Sequence, residues 1–255
     1  GTLDAKSGVF KVSMPRKDLE VTIGGHVKMT PPMGLTAWAA FQKMGDHVMV
    51  MGDIVMTEDQ VNATMSAVLD SGLEVTALHN HFFWDTPKIM FMHIGGMADE
   101  TTLATGVGKV FAKLKEKGEV PKLPDIDPAK SKIDPAKLDA IFGQKGDYKD
   151  GVYKATFGRT TKMSEADVGN AMGVNTWAAF AGTDDAAVVD GDFAMLESEM
   201  QTVLKTLRKA NINIVAIHQH MTTEQPRIMF LHFWGTGKTA DLATAVKAAL
   251  DTQAR

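Results

Sequence analysis

An internal repeat with a constant offset of 139 residues runs through this chain of 255 residues. It is clearest in two patterns of three histidines, in which two histidines separated by one residue are followed, after eleven residues, by a third. The first pattern comprises His79, His81 and His93, and the second comprises His218, His220 and His232. A period this long indicates a duplicated domain rather than a solenoid of short repeats. We therefore expect two similar halves.

The same offset relates segments outside the histidine patterns. Trp38-Ala-Ala-Phe matches Trp177-Ala-Ala-Phe, and Gly52-Asp53 matches Gly191-Asp192. The repeat predicts a first half over residues 1–117, a linker over 118–150 and a second half over 151–255. Within the linker, Asp134 followed by Pro135 is typical of a helix start, with the acid as cap and the proline in the first turn.

Each half is predicted to contain the same elements in the same order. In the first half, alternating apolar residues predict strands over 9–14, 35–41, 47–56, 73–82 and 88–95. A helix capped by Thr57 and ended at Gly72, and a second helix over 99–117, complete it. The sequence thus predicts an α+β protein of two homologous halves, each an antiparallel sheet flanked by two helices. We expect a pseudo-twofold axis to relate the halves.

The last two strands of each half predict a hairpin that gathers the three histidines. Side chains two residues apart on a strand share one sheet face. His79 and His81 therefore share a face of one strand, while Phe91 and His93 share a face of the returning strand. A short loop joins the strands, so local geometry alone brings the imidazoles together.

Three imidazoles on adjacent strands suit a divalent transition metal, with zinc favoured and copper, iron or manganese as alternatives. Three protein ligands leave one position open, which is the catalytic rather than the structural pattern. The hairpin loop offers a fourth ligand, since Asp85 in the first half corresponds to Glu224 in the second. A hydrogen-bonded histidine cluster and a metal-free acid–base pair are the two alternatives.

Two further matched acids follow glycine. Asp53 and Asp192 are interpreted first as turn residues, and otherwise as partners that orient a histidine or as general bases. His26 and His47 have no histidine counterpart in the second half, and we expect both to be surface or local residues.

Composition excludes several classes of protein. The net charge of −4 lacks the basic footprint that nucleic-acid binding needs, and no apolar run is long enough to span a bilayer. The absence of cysteine excludes thiolate ligands, disulfides and a cysteine nucleophile. Several of the 17 methionines alternate, as at Met49 and Met51 or Met90 and Met92. They are interpreted as adaptable core residues, with thioether ligation of Cu(I) as the alternative.

The motifs resemble those of the DUF1259 family of LpqO/LppY-like bacterial proteins. The resemblance rests on Ala-Leu-His-Asn-His and Pro-x-Ile-Met-Phe-Met-His-Ile-Gly-Gly in the first half, on Ala-Ile-His-Gln-His and Pro-Arg-Ile-Met-Phe-Leu-His-Phe-Trp in the second, and on the two Trp-Ala-Ala-Phe segments. It covers nearly the whole chain in two tandem copies. It implies a bacterial, exported protein in the periplasm or outside the cell, and it implies no activity. The chain begins at Gly1, and we expect any signal peptide to lie outside it.

The sequence therefore favours an exported metal-binding protein with one histidine-triad site per half. Hydrolytic or lyase chemistry by a metal-bound water is the simplest activity for such a site, because the metal lowers the pKa of that water. A non-catalytic metal scavenger or a cell-envelope binding protein is the alternative, so whether the protein is an enzyme stays open. A small-molecule or cell-envelope ligand is expected, of unknown identity, and a homo-oligomer is an open alternative.

Overall fold

The alternating patterns form strands in the computed structural model, which describes residues 1–253. The chain divides into two compact units, Gly1–Val120 and Pro121–Arg255. Each unit contains one large antiparallel sheet and its own helices, which confirms the predicted α+β class and its two similar halves. The finer division at residues 117 and 150, and the pseudo-twofold axis, stay predictions.

The first unit contains nine strands and two α-helices. In chain order they are β1 (Thr2–Asp4), β2 (Val9–Pro15), β3 (Thr22–Ile23), β4 (Val27–Lys28), β5 (Thr36–Met44), β6 (His47–Thr57), α1 (Val61–Asp70), β7 (Glu74–His79), β8 (Asp85–Thr86), β9 (Ile89–Ala98) and α2 (Glu100–Lys113). The main sheet has the order β1-β2-β5-β6-β9-β7, and a small sheet has the order β4-β3-β8.

Over residues 121–253 the second unit repeats this plan with eight strands and three α-helices. Its elements are α3 (Pro135–Phe142), β10 (Asp147–Lys149), β11 (Val152–Gly158), β12 (Thr161–Met163), β13 (Ala166–Val168), β14 (Asn175–Gly182), β15 (Ala187–Leu196), α4 (Met200–Lys209), β16 (Asn213–His218), β17 (Ile228–Gly237) and α5 (Thr239–Leu250). Its main sheet has the order β10-β11-β14-β15-β17-β16, which matches the first unit strand for strand, and β12 pairs with β13.

The helix starts follow the capping residues that the sequence predicted. Thr57 begins a short 3₁₀ turn that leads into α1, with the amide of Thr57 donating to Oε1 of Gln60 at 3.2 Å. Asp134 accepts a hydrogen bond from the amide of Ala136 at 3.0 Å, and Pro135 is the first residue of α3. None of the helices within residues 1–253 is long and apolar enough to cross a membrane.

In each unit one face of the main sheet forms the core and the other carries the histidines. Val50, Ile54 and Ile94 alternate onto the core face and are at most 2% exposed. Asp53 and His93, one residue away from Ile54 and Ile94, point to the opposite face because successive side chains alternate across a strand. This second face, here called the open face, carries both histidine patterns.

The methionine interpretation was correct for some residues and wrong for others. Met90 and Met92 are 8% and 0% exposed, so they fill the core as predicted. Met51 and Met97 are 58% and 59% exposed on the open face of the first sheet. Sequence alternation predicts that Met51 shares a sheet face with its neighbours two residues away, but it does not show which face of the sheet the helices cover.

Candidate metal centre

A row of three side chains crosses the open face of the second sheet. Trp177 on β14 pairs with Asp192 on β15, and Asp192 pairs in turn with His232 on β17. Directly paired residues of antiparallel strands project to the same face, so the three side chains lie side by side. The same row in the first unit consists of Trp38, Asp53 and His93.

The neighbouring strand and the residues after it add two more imidazoles. His218 is the last residue of β16 and pairs with Phe230. His220 lies beyond the strand, and its ring stacks on that of Phe230 with centroids 3.5 Å apart and planes 9° apart. His81 stacks on Phe91 in the same way in the first unit, at 3.5 Å and 5°. A buried phenyl ring therefore sets the orientation of the second histidine in each pattern.

The predicted strand over 73–82 is too long by three residues at its end, and this affects both sites. β7 ends at His79, opposite Phe91, so His81 belongs to the loop, as His220 does in the second unit. Beyond this pair the chain leaves the sheet, and the ring of His81 lies over that of Phe91. The histidines still converge, through ring stacking rather than through strand alternation.

Asp192, His218 and His220 form a group whose ligand atoms all lie within 4.8 Å of one another. Nε2 of His218 is 3.1 Å from Nε2 of His220, and Nε2 of His220 is 3.5 Å from Oδ2 of Asp192. His232 lies beside the group, with Nδ1 3.9 Å from Oδ1 of Asp192 and its ring stacked on His218 at 4.6 Å. The group could hold a metal ion.

The two shortest of these spacings are close to those of a coordination shell. Two nitrogen ligands at 2.0–2.1 Å from a tetrahedral zinc ion lie about 3.3 Å apart, close to the separation of the two Nε2 atoms. Oδ1 of Asp192 and Nδ1 of His218 are buried without a hydrogen-bond partner. Buried polar atoms are almost always satisfied, so this unpaired carboxylate oxygen requires an explanation, and a bound cation would supply one.

Burial disfavours the charged forms of the group in the absence of a cation. It raises the pKa of Asp192 above its usual value, against the opposing effect of His232 and His220. Burial, with the nearby His232 and His220, lowers the pKa of His218 to about 4. A neutral imidazole is the form that binds a metal, and a divalent cation would restore the charge of the carboxylate.

The first unit carries the same residue types in a looser arrangement. The ring of His79 lies 5.2 Å from that of His81 and 5.1 Å from that of His93. Oδ1 of Asp53 is buried without a hydrogen-bond partner, as in Asp192. Burial and the neighbouring His79 lower the pKa of His81, against the opposing effect of Asp53. Over residues 1–253, only the second unit brings three such ligand atoms within 4.8 Å of one another.

The loop carboxylates, Asp85 and Glu224, each accept a hydrogen bond from the first residue of the returning strand. Oδ2 of Asp85 accepts a hydrogen bond from the amide of Ile89 at 2.7 Å, and Oε1 of Glu224 accepts one from the amide of Ile228 at 3.2 Å. Neither belongs to the group of Asp192, His218 and His220. Ligation of a metal by Asp85 or Glu224 stays a prediction.

The interpretation of Asp53 and Asp192 as turn residues was wrong. Both lie within long strands and face a histidine across the sheet. The preceding glycine is required by close packing, because a Cβ at Gly52 would lie 2.7 Å from the carbonyl oxygen of Trp38. The sequence signal that could have identified these carboxylates is that both occupy the same position of the repeat. Each also lies two residues after another residue of the open face, as strand alternation requires.

A lysine covers the tryptophan of each row. Nζ of Lys11 lies 4.2 Å from the ring centroid of Trp38, and Nζ of Lys154 lies 4.2 Å from that of Trp177. These are cation–π distances. Trp38 and Trp177 therefore lie on the open face beside Asp53 and Asp192, each with a lysine over its ring.

Fold and site together define a duplicated α+β protein with a histidine–carboxylate group on an open sheet face. A sequence model of the family described as Domain of Unknown Function (DUF1259) matches residues 1–113 and again residues 136–252. The chain belongs to this family in two tandem copies, as its motifs predicted. A search of curated proteins found no match.

Two solved structures were matched at low similarity. A trimeric bacterial microcompartment shell protein, PduB, is 12% identical, with 99% of this chain and 89% of that chain covered and a TM-score of 0.22. Crystal form I of TP0453 is 9% identical, with 84% and 79% covered and a TM-score of 0.19. At these TM-scores neither structure carries an argument about this chain.

Proposed function

We propose that the protein binds a divalent transition metal through Asp192, His218 and His220. The observation that carries the proposal is the convergence of one buried, unpartnered carboxylate oxygen and two imidazole nitrogens on one small volume. In the described arrangement no donor reaches Oδ1 of Asp192, and a cation would satisfy it. In this proposal the carboxylate ligand is Asp192 on β15, not a residue of the hairpin loop.

Two histidines and one carboxylate form a ligand set that leaves positions open for water or substrate. Such a set is found in catalytic zinc sites and in mononuclear non-haem iron sites. Zinc stays the first choice, with iron, manganese or copper as alternatives. His220 and His232 are 37% and 48% exposed, so solvent reaches the open side of the proposed centre.

The open position favours hydrolytic or lyase chemistry by a metal-bound water. The metal would lower the pKa of that water toward neutrality. His232 lies beside Asp192, outside the group of three ligands, and is placed to exchange a proton with a water on the metal. In this proposal Asp192, His218 and His220 hold the metal and His232 acts on the water.

A non-catalytic role in metal scavenging is the second candidate. The observation that favours it is the same His232, since Nδ1 at 3.9 Å from Asp192 is near enough to become a fourth ligand after a small side-chain movement. Four protein ligands would close the shell, as in structural zinc sites. An exported location, suggested by the resemblance to LpqO/LppY-like proteins, suits either role and is part of the proposal.

Metal titration of matched variants tests the proposal. Wild type, His218→Ala, His220→Ala and Asp192→Asn are stripped with a chelator, titrated with Zn²⁺ by calorimetry and assayed for bound metal by mass spectrometry. We expect the three variants to lose the tightest binding event. His26→Ala, which removes an exposed imidazole outside both patterns, is expected to bind like wild type. Equal zinc binding by all five proteins would overturn the proposal.

Turnover distinguishes the two candidate roles. Zinc-, manganese- and iron-loaded protein is tested on panels of ester, amide and phosphoester substrates, with His232→Ala beside wild type. Metal-dependent turnover that falls in His232→Ala while the bound metal stays constant supports catalysis. Loss of one ligand from the metal in His232→Ala, without turnover in wild type, supports scavenging.

A further inference from the structure

The open face of the first sheet carries a second set of metal-binding side chains, separate from the histidine triad. Five residues at one end of β5, β6 and β9 supply four thioethers and one imidazole. The set, here called the methionine cluster, consists of Met44, His47, Met49, Met51 and Met97. The strand register alone places these side chains together.

Cross-strand pairing brings the thioethers within reach of one another. Met49 on β6 is directly paired with Met97 on β9, and Met51 follows two residues after Met49 on the same face. Met44 on β5 is paired with His47 where β6 begins. Paired residues on one face have Cβ atoms about 4.5–5.5 Å apart, and three rotatable bonds let methionine sulfurs adjust to a common centre.

The cluster is not part of the core. Met44, Met51 and Met97 are 47%, 58% and 59% exposed, so their thioethers face solvent. Burial of apolar surface is the usual reason for methionine in a sheet, and it does not apply to these three. Accessible, flexible sulfurs are what a soft cation needs.

The duplication supplies an internal comparison. At the offset of 139 residues, the five cluster positions are occupied in the second half by Thr183, Ala186, Val188, Asp190 and Thr236. None of these is a thioether or an imidazole. The cluster therefore belongs to one copy of a shared scaffold, and the scaffold's own packing does not require it.

We propose that the methionine cluster binds a soft monovalent cation, Cu(I), through the thioethers of Met49, Met51 and Met97. Thioether sulfur is a soft ligand that selects Cu(I) over the divalent metals favoured by imidazole and carboxylate. Met44 and His47 lie at the adjacent hairpin end and are placed to add a further ligand. This site does not rest on the proposed function of Asp192, His218 and His220.

A competition titration tests the proposal. The full chain is titrated anaerobically with ascorbate-reduced Cu(I) in the presence of the coloured chelator bicinchoninate. We expect wild type to withdraw one Cu(I) per chain, and the triple variant M49L/M51L/M97L to bind it at least about tenfold more weakly. Leucine keeps nearly the volume of methionine without the sulfur, so the fold is preserved. Met33→Leu, which removes an exposed thioether elsewhere in the first half, is expected to behave like wild type.

Methyl NMR and a histidine variant locate the bound metal. With ¹³C-methyl methionine, Cu(I) should shift the resonances of Met49, Met51 and Met97 and leave that of Met33 in place. Unchanged Cu(I) affinity in the triple variant would overturn the proposal, as would loss of Cu(I) in H79A/H81A alone. Zn²⁺ binding measured in the same triple variant reports on Asp192 and its partners, so failure of either proposal is recognised separately.

Discussion

Asp192 on β15 and His232 on β17 are directly paired across the second sheet, with Nδ1 of His232 3.9 Å from Oδ1 of Asp192. Asp53 and His93 hold the same positions in the first sheet. In both units the aspartate keeps Oδ1 buried without a hydrogen-bond partner. The duplicated feature is thus a carboxylate embedded among imidazoles.

Asp192→Asn should separate metal binding from folding. Loss of an orienting partner of a metal ligand typically weakens binding about 10–100-fold, so loss of the ligand itself should exceed about 100-fold. The metal-free protein should lose little stability, because the carboxylate that is removed has a buried oxygen without a hydrogen-bond partner. We expect its free energy of unfolding to change by no more than about 1 kcal/mol. Zinc titration and thermal unfolding, with and without zinc, measure the two effects.

Asp190→Asn is the matched control for that substitution. Asp190 lies two residues earlier on β15, on the same open face, and is exposed. It should change zinc affinity far less than Asp192→Asn does, because Asp190 supplies no ligand atom to the group. If Asp190→Asn weakened zinc binding as much as Asp192→Asn, general electrostatic attraction rather than ligation would account for the effect.

The metal-free protein should lose stability as the pH falls from about 6.5 toward 4. The folded pKa of His218 is about 4 against an ordinary value of 6.5, so the unfolded chain binds more protons in this range. His218 therefore makes the free energy of unfolding rise with pH across the window, whereas the raised pKa of Asp192 acts in the opposite direction. Solvent screening of this partly exposed ring limits its contribution to the free energy of unfolding to about 1 kcal/mol. Urea unfolding at pH 4.5, 5.5 and 7 measures it.

His218→Asn should flatten this pH dependence, while His26→Ala should leave it as in wild type. Equal slopes for wild type and His218→Asn between pH 4.5 and 6.5 would contradict the lowered pKa of His218.

Arg159→Met should be strongly destabilising. Nη1 of Arg159 lies 2.7 Å from Oε2 of Glu199, and the two side chains are 17% and 8% exposed. The substitution breaks this buried ion pair by removing the guanidinium, which typically costs about 3–5 kcal/mol. Lys137→Met breaks the exposed pair with Asp184 and should cost at most about 1 kcal/mol. Chemical denaturation of both variants gives the comparison.

The first unit has a neutral amide at the position of Glu199 and supplies the countercharge from another residue. There the buried Arg16 donates to Oε1 of Gln60, the counterpart of Glu199, with Nη2 at 3.3 Å, and Nη2 also pairs with Oδ2 of Asp18 at 2.8 Å. In the second unit the carboxylate of Glu199 pairs with Arg159, so Glu199→Gln should also destabilise the fold. Wild-type stability in both Glu199→Gln and Arg159→Met would contradict the account of a buried ion pair.

Gly191→Ala should distort the row that holds the carboxylate. A Cβ at Gly191 would collide with the carbonyl oxygen of Trp177 and with the ring of Phe233. Overpacking of this kind typically costs about 1–3 kcal/mol, and it should also weaken zinc binding because the next residue is Asp192. Gly95→Ala is the control, since no heavy atom lies within 3.4 Å of the added methyl. Melting temperatures and zinc titrations of both variants check the prediction.

Sequence patterns predicted the strands well because one face of each sheet is buried. Alternation predicted the end of β6 to within one residue of the observed Thr57, and the caps at Thr57 and Asp134 predicted two of the helix starts. These are local signals, in which a few neighbouring residues determine the hydrogen bonds. The match of strand order between the units followed from the constant offset.

The site was only partly predictable because its parts come from distant strands. The hairpin brought the histidines together, but the carboxylate enters from β15, more than twenty residues earlier in the chain. A glycine–aspartate pair is typical of turns, and only the register with Trp177 and His232 shows that it lies in the middle of the sheet. The phenyl ring under His220 is likewise a cross-strand contact.

X-ray absorption at the zinc edge tests the central claim most directly. Zinc-loaded protein carrying His79→Ala and His81→Ala isolates the second unit. The account predicts nitrogen and oxygen ligands at about 2.0–2.1 Å with imidazole scattering from two histidines, reduced to one when His220→Ala is added. A spectrum without imidazole scattering, or one that His220→Ala leaves unchanged, would contradict a metal centre at Asp192, His218 and His220.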